Sequence, residues 1–192
     1  MITLDDLQRS QSATHDLARH FDFDLSRAAR DNAWIKLAPQ QPFMVIAGDS
    51  SGGVFLAYGD GEIERCPILY VSSEGQAGRI AANLAELLSM MMALPAWHDL
   101  LKFSGNGNLE EMRRTARLIE EDGPGDDELP AATRRIMAAF LLPAIADPVK
   151  LLHDCVHASD CNVVADDDGW PYESLFGHFK SSDNPFWKRD QS

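Results

Sequence analysis

Between Trp34 and Val71 the chain carries four apolar runs, each too short for a helix and each closed by residues that turn the backbone. They are Trp34-Ile35-Lys36-Leu37, Phe43-Met44-Val45-Ile46-Ala47, Val54-Phe55-Leu56-Ala57-Tyr58 and Ile68-Leu69-Tyr70-Val71. Pro39 and Pro42, then Gly48-Asp49-Ser50-Ser51-Gly52-Gly53, then Gly59-Asp60-Gly61 separate them. Strands joined by such tight turns pair antiparallel, because a parallel pair needs a crossover of about a dozen residues or more. The pattern predicts an antiparallel meander in the middle of the protein, and the rest of the chain must pack around it.

The flanks read as helices. Leu4, Leu7, Leu17, Ala18 and Phe21 recur at helical spacing, with Thr3 placed to cap and Asp6 three residues on, which predicts one amphipathic helix from Thr3 to about His20. A short second helix is expected over Leu25 to Asn32. After Ser72-Ser73, the stripe Ile80, Leu84, Leu87, Leu88 and Met91 predicts a helix from about Glu74 to Ala93, capped by one of the two serines. Pro95 opens another, ended by Gly105-Asn106-Gly107. Further helices are expected at Leu109 to Glu121, Pro130 to Ala146 with Pro143 disturbing it, and Pro148 to His157. Asp122 to Glu128 is a solvated loop, and Asn162 to Tyr172 a strand and turn. The fold class is α+β: a central, mostly antiparallel sheet flanked by helices, with a C-terminal helical addition.

Charge narrows the partners. Among 192 residues there are 30 acidic and 17 basic side chains, a formal net charge of −13. Such a surface repels nucleic-acid phosphates and anionic lipid, so neither nucleic acid nor membrane is expected as a partner. Three cysteines, Cys66, Cys155 and Cys161, in a chain of this size point to a reducing compartment rather than a disulfide framework. The acidic start lacks a signal-peptide pattern, and the longest oily stretch, Leu84 to Trp97, is broken by Glu86, Ser89 and Pro95. The expected location is the cytoplasm.

Several strings resemble catalytic motifs. Gly48 to Gly52 satisfies G-x-S-x-G, but a nucleophile elbow needs a helix after the serine, and a strand follows, so a hairpin turn is the expected reading. His153-Asp154-Cys155-Val156-His157-Ala158-Ser159-Asp160-Cys161 packs metal-ligand types closely, with His153 and His157 on one helical face. It lacks the glutamate of a zinc hydrolase, so no metal and no cofactor are expected. Tyr70 to Arg79, running from strand into a helix, would offer free N–H groups to an anion; capping and close packing explain it without a ligand. Trp34, Trp97, Trp170 and Trp187 are expected in packing roles, and the Phe186-Trp187 tail is expected to dock on the body.

From Phe43 to Gly105 the chain resembles the SUKH superfamily, whose best-known branch is named after a yeast cell-wall synthesis regulator. The residues that carry the resemblance are Ile46-Ala47-Gly48-Asp49-Ser50-Ser51-Gly52-Gly53-Val54-Phe55, then Pro67-Ile68-Leu69-Tyr70-Val71, then Ile80 to Leu88. The expected L-P-x-x-Y helix entry is not recognisable. The resemblance implies an α+β domain over residues 1–105, to which residues 106–192 add helices and a short strand and turn on the same core. It also implies a non-catalytic immunity protein that binds and neutralises a cognate bacterial toxin. The alternatives are a regulatory adaptor of the same fold, and a metal- or thiol-dependent hydrolase built on His153 to Cys161.

A protein partner with a basic surface, such as a nuclease toxin domain, would meet the acids of Glu120, Glu121, Asp126, Asp127 and Glu128, and of Asp166, Asp167 and Asp168. Residues 106–168 hold 14 acidic and six basic side chains, whereas residues 1–105 hold 13 and eight. The excess negative charge therefore concentrates in the added region.

Overall fold

The computed structural model describes residues 2–29, 34–123, 125–164 and 169–188. The meander is present: β2 (Phe43–Gly48), β3 (Val54–Tyr58), β4 (Ile68–Val71) and β5 (Gln76–Ala81) pair antiparallel in chain order. A two-residue strand, β7 (Glu173–Ser174), adds parallel to β5 and makes the five-stranded sheet mixed. The first apolar run becomes β1 (Lys36–Ala38), which leaves the meander and pairs with β6 (Asn162–Val164) in a separate two-stranded sheet.

Unbroken apolar runs in β3 and β4 are explained by burial on both faces. Phe55, Ala57, Ile68 and Tyr70 point into the core shared with the helices. Val54, Leu56, Leu69 and Val71 point the other way, against Ile35, Leu37 and Val163 of the small sheet region. The fold is α+β, with helices on one face of the central sheet and the β1–β6 pair on the other.

The helices are α1 (Leu4–Arg9), α2 (Gln11–His20), α3 (Leu84–Ala93), α4 (Trp97–Lys102), α5 (Leu109–Asp122), α6 (Leu129–Phe140) and α7 (Pro148–His157). Thr3 and Asp6 form the anticipated capping box. The expected single helix to His20 is two, because the chain leaves helical geometry at Ser10. The short helix after Asp24 is a 3₁₀ turn over Leu25–Ala29, and residues 30–33 lie outside the described residues.

The largest correction is at residues 74–83. The chain turns at Gly75, whose φ of +84° suits glycine, and forms β5 in place of the first half of the expected helix. Ser72 Oγ accepts from the N–H groups of Glu74 and Gln76, so this serine builds a hairpin and caps no helix. Helix α3 starts only at Asn83, whose side chain accepts from Glu86 N at 2.9 Å while Glu86 Oε1 accepts from Ala82 N at 2.7 Å. Helix α6 stops at Phe140, before Pro143, and Leu141 closes it in the left-handed region at φ +49°.

Candidate functional site

The acidic stretch of residues 120–128 gathers at one end of the helical layer. Glu120, Glu121 and Asp122 form the last turn of α5, where no basic residue answers the partial negative charge of the helix end. Asp126, Asp127 and Glu128 lead into α6, with the Asp126 carboxylate accepting from Glu128 N at 2.9 Å. Two of these acids are engaged internally. Asp126 meets His20 Nδ1 at 2.5 Å, and Glu128 lies 3.3 Å from Arg19 and 3.9 Å from His20 Nε2. The backbone bond from Glu128 and the His20 contact hold the Asp126 carboxyl below its usual range. Glu120, Glu121 and Asp127 stay exposed.

Behind this loop lies a cavity of about 580 Å³. Leu94, Leu100, Ile119, Leu129 and Val149 supply its apolar walls, from the α3–α4 turn, α4, α5, α6 and α7. His20 and Glu120 are its ionisable lining groups among the described residues. The His20 side chain is 1% exposed, closed in by the same loop that carries the acids. Helix α2 is in turn fastened to α6 by Asp16, which takes Nε and Nη2 of Arg135 at 2.8 Å each. The sequence signalled the acids; it did not signal that His20, at the end of α2, would face them.

Asp166, Asp167 and Asp168 lie outside the described residues. Phe186 is 72% exposed, while the following Trp187 docks: its ring sits 5.0 Å from Phe103 and its indole N–H donates to Asp122 at 2.6 Å. The acidic helix end therefore has an exposed aromatic nearby. Trp97 is core, whereas Trp34 is 38% and Trp170 73% exposed.

The histidine–cysteine string occupies α7 and the turn after it. His153 meets Gly107 O and Asp154 Oδ1 at 3.1 Å each, and stacks on His157 with ring centroids 5.8 Å apart. Among the described residues no group of three or more metal-ligand types converges. Burial and the nearby Glu86 carboxylate push the Cys155 thiol up to about 11, and burial also raises that of Cys161. Both environments hold the thiol protonated, the reverse of what a thiolate nucleophile needs.

The G-x-S-x-G string is the β2–β3 hairpin. Asp49 is 1% exposed and accepts from Tyr70 Oη at 2.5 Å, Gly53 N at 2.7 Å and Ser51 Oγ at 2.8 Å. Ser50 donates through N and Oγ to Asp22 at 2.8 and 2.9 Å. Both hydroxyls are thus bound to carboxylates and close the turn. Tyr70 to Arg79 begins no helix: the expected capping gives way to a hairpin into β5, and the alternative of an anion on free helix N–H groups loses its basis. Comparison with known protein families, curated proteins and solved structures finds no match.

Proposed function

We propose that this chain is a non-catalytic binding protein of the immunity type, which neutralises a basic bacterial toxin through the acidic face at residues 120–128. One observation carries the reading: Glu120, on the lining of an apolar cavity, is exposed, as are Glu121 beside it on α5 and Asp127 just before α6. Exposed like charges steer a basic partner, and adjacent apolar surface retains it. The SUKH resemblance supports the same class of function.

Affinity isolation from the native host, with the full chain as bait, tests the reading. Recovery of a toxin encoded beside this protein is the expected result; recovery of housekeeping proteins alone overturns it in favour of a regulatory adaptor. With the toxin in hand, the triple variant Glu120→Gln, Glu121→Gln, Asp127→Asn slows association several-fold at low salt, and the difference fades as salt rises. These three are better probes than Asp126 and Glu128, whose removal also frees His20 and Arg19. An unchanged on-rate returns the acids to the role of solubilising surface.

A further inference from the structure

We propose that the cavity behind the acidic loop is a binding site for a small amphiphilic organic cation, a molecule with an apolar body and one protonated amine. This inference does not depend on a protein partner. At about 580 Å³ the cavity falls within the roughly 300–1,000 Å³ typical of small-molecule sites, and would hold about twenty waters at ~30 Å³ each. Its walls come from helices α2 to α7 and the α3–α4 turn and are mostly apolar, so water filling it has few hydrogen-bond partners.

Charge decides what kind of head group the apolar body carries. Glu120 lines the cavity and forms no ion pair within 4.0 Å among the described residues, whereas the imidazole on the wall, His20, is already held by Asp126 at 2.5 Å. Arg19, the cation on the neighbouring helix position, faces Glu128 at 3.3 Å. The start of α7, which could attract an anion, is closed by the Asp147 carboxylate accepting from Lys150 N at 3.0 Å. Among the described lining residues the cavity offers an anionic ligand no group beyond the engaged His20, and Glu120 remains for a cationic one. The larger hollow beside Phe140 and Leu141, about 740 Å³, carries Asp6 and Arg9 3.4 Å apart, so their charges cancel and specify no ligand.

The test uses the full chain with three probes of one shape: phenylbutylamine, phenylbutanol and phenylbutyrate. Binding is followed by the NMR signals of the Ala93, Ala96 and Ala116 methyl groups, all on the cavity lining. The amine is expected to shift these methyls saturably, with the alcohol about fivefold weaker and the acid weaker still. Glu120→Gln, an exposed change that leaves the fold intact, removes the advantage of the amine over the alcohol. Ala116→Leu fills the cavity and weakens all three probes. Equal binding of amine and alcohol to the unaltered protein, shifts confined to other methyls, or no saturation at millimolar amine each overturns the proposal. If Ala116→Leu does not fold, the Glu120→Gln comparison alone decides.

Discussion

Asp49 shows how one residue can be visible in a sequence and yet have its role assigned only by the fold. The hairpin it occupies was legible from Gly48 to Gly53, but its bond to Tyr70, 21 positions on, depends on β3 and β4 lying side by side. Asp49→Ala leaves the Tyr70 hydroxyl and the Gly53 N–H buried without their partner, and is expected to cost about 2–4 kcal/mol in denaturant unfolding. Burial raises the Asp49 carboxyl, but the hydrogen bonds from Tyr70, Ser51 and Gly53 outweigh it, and the net direction is down. A depressed folded value means this stabilisation is complete above the ordinary aspartate range near 3.8 and is lost as pH falls through the folded value. Unfolding measured between pH 7 and 2 should therefore lose stability on the acid side, with a shallower loss in Asp49→Asn. Leu141 makes the opposite case. It is 88% exposed at φ +49°, so Leu141→Gly removes backbone strain with little packing to lose and should stabilise by about 1 kcal/mol.

Among the elements, β5 was the least legible. Its residues Ala77, Ile80 and Ala81 satisfy both a strand and the leading edge of the helical stripe that continues through Leu84 and Leu88, and periodicity alone does not separate them. Gly75 and the Ser72 turn decide it, because a strand beside β4 satisfies backbone groups that β4 would otherwise present as an open edge. The cap assignment follows and is testable. Asn83→Ala is expected to cost about 1 kcal/mol, while Ser73→Ala, at an exposed turn, changes stability by less than about 0.5 kcal/mol. The helices beyond residue 106 were legible because their signals are local: the Gly105–Gly107 break precedes α5 and Pro148 opens α7, and the structure adds Asn108 and Asp147 as their caps. The tie between α2 and α6 was not. Asp16→Asn breaks a two-pronged contact that joins α2 to α6, with an expected loss of about 1–2 kcal/mol that Arg135→Met should reproduce.

At the scale of the molecule, the charge imbalance becomes a place. The count that put the excess acid in residues 106–168 is a property of the sequence, but the place of Glu120 on the lining of an apolar cavity is not. That cavity needs α2, α4, α5, α6 and α7 to meet, elements separated by more than a hundred residues along the chain. The last turn of α5, where like charges add to the negative helix end, is a costly arrangement for the isolated fold. Neutralising Glu120 and Glu121 together is accordingly expected to raise the unfolding midpoint slightly while slowing any basic partner, a divergence that thermal unfolding and association kinetics would show side by side.

Local sequence was enough for the strands with Gly-rich boundaries, the helices with nearby start and stop residues, the α+β class and the sign of the surface. Each of these follows from residues within a few positions of one another, through backbone conformation and the period of apolar side chains. Long-range packing set the rest: β1 pairs with β6, residues 76–81 are strand, Asp16 holds Arg135, and His20 lines the cavity while bound to Asp126. Those outcomes depend on which distant partner satisfies a buried polar group or an open strand edge, and a linear pattern carries no record of that distance.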